Sequence, residues 1–154
     1  MSKYEDFNQQ VIAEFRAKGG RGVENFGDRL LLLTTTGAKS GTVRTHPVAY
    51  TPVEAGYVIV GSKGGAPTHP AWYHNLVAHP EATVEVGTDH FPVRARVVHG
   101  EEYERLFSAH AERMPAFREY THKTSRTLPT IVLERVSQPA VDLLADAPLN
   151  SVEA

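Results

Sequence analysis

The stretch that most limits the fold is Leu30-Leu31-Leu32-Leu33-Thr34-Thr35-Thr36, which runs directly into Gly37-Ala38-Lys39-Ser40-Gly41. Four aliphatic residues followed by three β-branched ones read as a buried strand, and the glycine-bounded pentapeptide reads as its turn. The same grammar repeats downstream. Arg44–Val53 alternates as a second strand, Glu54-Ala55-Gly56 turns the chain, and Tyr57–Val60 continues it. Thr83–Val86, Gly87-Thr88-Asp89 and Phe91–His99 read as a hairpin, and Ile131–Glu134 as a last strand. Strands joined mostly as hairpins, with helices between them, imply an α+β fold, mainly β, rather than a parallel sheet with crossovers.

Helical spacing marks three other segments. Tyr4, Phe7, Val11, Ile12 and Phe15 recur on one face over residues 3–18, with Ser2 and Glu5 spaced as a capping box and Gly19-Gly20 as the stop. This segment reads as a helix packed on the core. A lid over a site or a membrane-surface helix is the alternative, and Glu5, Asp6 and Glu14 weaken the membrane version, since such helices usually carry a basic polar face. Pro70 opens a short helix that His79-Pro80 ends, and Glu101–Arg113 forms a longer amphipathic one, broken by Pro115 before a further turn at Phe117–Lys123. The 154 residues, 41% of them hydrophobic, are enough for one domain with a full core. A single domain over 1–137 and a loosely held tail over 138–154, with Pro139 and Pro148, are expected.

Composition excludes several classes. With Lys plus Arg at 16, Asp plus Glu at 18 and a formal charge of −2, the chain lacks the basic balance of a nucleic-acid binder. The cysteine count is 0, which removes disulfides, thiolate metal sites and a Cys nucleophile, and fits a reducing cytoplasm. No apolar run approaches the roughly 20 residues of a membrane-spanning helix, and no signal-peptide pattern opens the chain. His69, His74 and His79 invite a metal reading, but positions five apart lie about 140° from each other around a helix. No His-Glu-x-x-His or Gly-x-Ser-x-Gly motif is present, so no metal site and no serine hydrolase is expected.

Two glycine-flanked basic loops carry the chemistry. Gly37-Ala38-Lys39-Ser40-Gly41 and Gly61-Ser62-Lys63-Gly64-Gly65 each offer a lysine, a hydroxyl and backbone N–H groups freed by glycine. Arg44 follows the first loop. Within residues 30–80 these three cations face only Glu54, a local positive patch on an acidic chain that suits an anionic small ligand. Solvated hairpin loops are the plainer explanation of either loop alone, and neither is a Walker loop or a Gly-x-Gly-x-x-Gly fingerprint. Trp72-Tyr73-His74-Asn75-Leu76 follows the second loop. Trp72 and Asn75 share a helix face, so the pair either packs in the core or offers an aromatic wall and a polar anchor to a planar ligand.

The ordered series Thr34-Thr35-Thr36-Gly37-Ala38-Lys39-Ser40-Gly41, Arg44-Thr45-His46-Pro47, Gly61-Ser62-Lys63-Gly64-Gly65-Ala66, His69-Pro70-Ala71-Trp72-Tyr73-His74-Asn75-Leu76, His79-Pro80 and Arg126-Thr127-Leu128-Pro129 resembles the deazaflavin-dependent nitroreductase (Ddn-like) family of reductases. The resemblance covers about Leu30 to Glu134. It implies an FMN-binding split-barrel-like fold with flanking helices, and coenzyme F420 (8-hydroxy-5-deazaflavin) as the cofactor. It further implies that Ala38, Lys39, Ser40 and Arg44 hold the phosphate and anionic tail, and that Thr45, His46, Pro47, Val48 and Ala49 line the cofactor. Gly61, Ser62 and Lys63, the helix Trp72, Tyr73, His74, Asn75 and Leu76, and Phe117 complete the site. The nitro-drug-activating member of that family carries tyrosines where this chain has Ala49, Met114 and Phe117, while Tyr120 matches a tyrosine. The substrate wall therefore differs more than the cofactor site does.

The expectation is a reductase that passes a hydride from reduced F420 to an electrophilic small molecule such as a quinone, an enone or a nitroaromatic. Ser62 would polarise the ring's carbonyl side, and Tyr120 would position the acceptor or donate a proton. A non-catalytic deazaflavin-binding protein and an FMN-dependent split-barrel oxidoreductase are the alternatives. A homodimer is left open, as is contact of the first helix with a membrane.

Overall fold

The aliphatic run forms β1 (Leu30–Thr36), and the surroundings of its two faces explain why it lacks alternation. Leu31 and Leu33 enter the main core with Val48, Ile59, Trp72 and Leu76, whereas Leu30 and Leu32 pack on Val11, Ile12 and Phe15 of α1 (Lys3–Ala17). A strand covered on both sides has no polar face to present. This computed structural model describes residues 3–136, so the Ser2 half of the capping box and the 138–154 tail lie outside the described residues.

The remaining strands are β2 (Val43–Ala49), β3 (Thr51–Val53), β4 (Gly56–Val60), β5 (Glu81–Val86), β6 (Asp89–Val97) and β7 (Thr130–Arg135). They join β1 in a 7-stranded antiparallel sheet with the order β2-β1-β5-β6-β7-β4-β3. The helices α2 (Ala71–Ala78), α3 (Gly100–Arg113) and α4 (Ala116–Thr121) are inserted between strands, as the α+β expectation required. Among the described residues no helix is long and apolar enough to cross a membrane.

The expected single strand Arg44–Val53 is two strands, and the break is the key to the architecture. β2 pairs with β1 at one edge of the sheet and β3 pairs with β4 at the other, with only Tyr50 between them. The Tyr50 N–H donates to Arg29 O at 2.9 Å, outside either ladder. Laid flat, the edges of such a sheet would stand about 30 Å apart, a gap that one residue of about 3.5 Å cannot bridge. The sheet must curl until its edges meet. It is the split half-barrel that the resemblance implied, closed on one side by a single residue and open along the rest of a seam.

Helices cover the curl from outside and plug it from within. At the end of α1, the Gly20 N–H donates to Phe15 O at 2.8 Å. A Cβ at Gly20 would stand 2.9 Å from Gly87 Cα, so only glycine lets the helix end rest on the β5–β6 turn. Arg16 fastens the same corner with an ion pair to Glu85 at 2.7 Å. On the other side, Leu106, Phe107 and Ala111 of α3 pack on Val58, Val60 and Val132.

Candidate functional site

The open part of the seam is a cleft of about 390 Å³. β2 supplies Pro47 and Ala49, the loop after β4 supplies Ser62 and Gly64, and α4 supplies Ala116, Phe117 and Tyr120. Phe7, Asn8 and Val11 of α1, the 25–30 segment (Asn25, Phe26, Arg29, Leu30) and Met114 complete the lining. The walls are mostly apolar, with hydroxyls from Ser62 and Tyr120 and one charged side chain, Arg29. Such a lining suits a flat, largely apolar guest oriented by a few polar groups.

The Ser62 loop has an unusual backbone. Lys63, Gly64 and Gly65 are consecutive left-handed residues with φ of 47°, 65° and 85°. For Lys63, which carries a Cβ, this conformation costs energy unless neighbours enforce it. Gly65 has no room for a side chain, since a Cβ there would meet Lys123 Cβ at 2.8 Å and Tyr120 O at 3.2 Å. The loop therefore rests directly on the helix that carries Tyr120.

The Gly37–Gly41 loop is braced from α2. Buried Asn75 accepts from the Ala38 N–H at 3.0 Å and donates to Thr35 Oγ1 at 3.0 Å. Its neighbours Trp72 and Leu76 are buried in the main core. Tyr73 packs against the His69 ring at 4.8 Å, and His74 is exposed. Ala38, Lys39 and Ser40 are exposed at the loop tip. Among the described residues none of Lys39, Arg44 and Lys63 forms an ion pair.

The other half of β2 faces a second cleft of about 300 Å³, where Val43, Arg44, Thr45 and His46 meet Glu5, Gln9, Ile12 and Arg16 of α1. Asn8 borders both clefts. Burial, and then the Arg44 charge, hold the His46 imidazole below its usual pKa. Its Nδ1 is buried without a hydrogen-bond partner. Val48 turns inward to the core, and Gly61 is buried against Pro129.

The structure thus brings Pro47, Ala49, Ser62, Phe117 and Tyr120 together in one cleft. Arg44, Thr45 and His46 line the adjoining one, and Trp72, Asn75 and Leu76 lie behind the loop rather than in either cleft. Sequence reasoning missed Phe7, Asn8, Phe26 and Arg29. No motif marks them; only the periodicity that placed α1 against the sheet pointed their way. It also quoted Arg126 without giving it a role.

Residues 7–135 match the family model described as F420H(2)-dependent quinone reductase. An F420H(2)-dependent quinone reductase of Mycobacterium tuberculosis is 42% identical over 108 residues, covering 68% of this chain and 72% of the relative. Among solved structures, an F420-H2 dependent reductase (FDR-A) superposes with a TM-score of 0.64 at 40% identity, covering 69% of this chain and 94% of that one. A second structure, solved as a domain-swapped dimer, gives a TM-score of 0.66 at 36% identity, covering 85% of this chain and 97% of that one.

Proposed function

The chain belongs to the F420H(2)-dependent quinone reductase family, and on that premise we propose that it passes a hydride from reduced coenzyme F420 to a quinone held in the seam cleft. The resemblance read from the sequence holds at the level of the coenzyme, while the matched family is named for quinones rather than for nitro compounds. The single observation that carries the reading is the cleft itself. An apolar slot bordered by Ser62 and Tyr120 adjoins the cleft lined by Arg44, and among the described residues Lys39, Arg44 and Lys63 form no ion pair.

The residues present fit the coenzyme. Lys39, Arg44 and Lys63, which form no ion pair among the described residues, would neutralise a phosphate and carboxylates, and the buried Nδ1 of His46 lacks a hydrogen-bond partner. When bound, reduced F420 supplies the hydride; the protein supplies binding, orientation and electrostatics. Ala38, Lys39, Ser40 and Arg44 would hold the anionic tail, with Asn75 fixing the loop, Trp72, Tyr73 and Leu76 anchoring α2 behind it, and His74 on its exposed face. Thr45, His46, Pro47 and Ala49 would line the coenzyme, with Val48 anchoring their strand in the core. Gly61, Ser62 and Lys63 would give the coenzyme polar contacts, and the apolar walls would exclude water from the cleft. Met114, Phe117 and Tyr120 line the cleft and would face the acceptor, to which the Tyr120 hydroxyl would give a proton. The absence of cysteine supports a cytoplasmic enzyme. Light scattering tests whether it forms a homodimer, as the domain-swapped relative does.

Fluorescence titration with F420 and FMN in one buffer, followed by turnover with menadione and with a nitroimidazole, tests this reading. The expected result is tighter binding of F420, menadione reduction and little nitroimidazole turnover. Met114 and Phe117 give a polar acceptor no hydrogen bonds in exchange for lost water. Equal or tighter FMN binding with turnover would make the protein a flavoenzyme, and F420 binding without turnover would make it a carrier.

A further inference from the structure

Arg126 lies outside the cleft, on the segment between α4 and β7, and its guanidinium is almost wholly committed to one loop. Nε donates to Ala66 O at 2.9 Å, Nη1 to Gly61 O at 3.1 Å and Nη2 to Ser62 O at 2.8 Å. Nη1 also donates to His69 Nδ1 at 2.9 Å. A guanidinium has only donors, so His69 accepts there and keeps its own proton on Nε2. Among the described residues no carboxylate pairs with Arg126. A partly buried guanidinium satisfied by carbonyls rather than by a countercharge fixes geometry, because its rigid fork demands acceptors in set places.

What it fixes is the strained loop. Gly61 and Ser62 precede the left-handed residues Lys63, Gly64 and Gly65, and Ala66 follows them, so Arg126 grips both ends. A left-handed lysine persists only where the surroundings over-determine it. The far side of the loop presses on Tyr120 O and Lys123. We propose that Arg126 is a positioning residue of the coenzyme site, a clamp that holds the 61–66 loop in the left-handed form that presents Ser62, Lys63 and Gly64 to F420. The clamp acts through the loop, and its link to F420 rests on the reading of the cleft given above.

The test begins with coenzyme-free protein. Amide hydrogen exchange is compared between wild type, Arg126→Lys and Arg126→Ala at Gly65 and Ala66, whose N–H groups bond to Ser62 O and Lys63 O within the loop. Lysine keeps the charge but cannot span three carbonyls. Exchange at these amides should rise about 10-fold or more in Arg126→Lys while β1 stays protected. The F420 dissociation constant should rise by about the same factor, the KM for reduced F420 should follow it, and the KM for menadione should not. Millimolar guanidinium should restore coenzyme binding to Arg126→Ala, where equal sodium chloride does not. Wild-type exchange and affinity in Arg126→Lys would overturn the clamp. So would loosening of the loop and β1 together, which marks a purely structural residue. If Arg126→Ala does not fold, the lysine variant decides. A wild type that binds no F420 would overturn the functional reading, and the exchange of the loop would still decide the clamp.

Discussion

At position 120 the chain places a half-buried phenol in the cleft, set edge-on to Phe117 at 5.2 Å with the Lys123 ammonium 5.8 Å from its ring centre. Tyr120→Phe removes one oxygen and leaves this packing intact. The menadione rate should fall by about 10²-fold, the lower range for loss of a general acid, with F420 affinity unchanged; steady-state kinetics beside a titration checks both. An unimpaired variant would return Tyr120 to a packing role. His110 behaves differently. Fully buried, with Nδ1 2.9 Å from Thr51 Oγ1, Nε2 unpartnered and the Phe117 ring 4.3 Å away, it is pushed down to about 4, first by burial and then by Arg113. As pH falls from the ordinary histidine value toward about 4, the unfolded chain takes up a proton that the folded chain refuses. Stability is therefore lost across that interval, by about 3 kcal/mol, and the loss levels off below it. Urea melts from pH 7 to 4 should show this slope, and His110→Gln should flatten it. That Ser62 lines the cleft was legible because it stands in a glycine-flanked motif, and Phe117 was legible only through the family resemblance. His110 carries no such mark, because it sits in an amphipathic helix with no motif around it.

Among the elements, α2 shows how a single side chain transmits order to a loop. Asn75 uses its amide on both Ala38 and Thr35. Asn75→Ala should cost about 2 kcal/mol, because it leaves a buried hydroxyl and a backbone N–H without partners. It should also weaken F420 binding through the Lys39 loop; denaturant melts and titration read the two effects separately. The aromatic-wall reading of Trp72 illustrates a limit of sequence. Spacing shows that Trp72 and Asn75 share a face, but not that this face looks into the core. Tyr50 illustrates another. Alternation runs unbroken from Arg44 to Val53, and nothing in it records that the partner strand changes from β1 to β4, because pairing is settled by tertiary closure. The hairpins and the glycine turns, which are local, were read correctly.

For the molecule as a whole, the seam is the place where the sheet holds itself together least. Its edges are joined covalently at Tyr50 and elsewhere through the helices and loops around the cleft. A ligand that touches β2, the 61–66 loop and α4 at once should act as a cross-brace. At 100 times its dissociation constant it should add about 2.7 kcal/mol to the folded state, seen as a rise in melting temperature that FMN at equal concentration does not match. The half-barrel was legible only through resemblance, since no local signal says that a sheet will curl.

The two walls of the cleft differ in what they are built from. One side consists of the edge strand β2, paired with β1, and the 61–66 loop that leaves β4. Phe117 and Tyr120 stand on α4 and Met114 on the link between α3 and α4, all outside the strand pairing. Exchange of the half-buried Tyr120 can therefore trade one set of electron acceptors for another while the strand ladders stay intact, whereas Met114 and Phe117 also fill the core and tolerate only replacements of similar shape, much as a tool changes its bit and keeps its chuck.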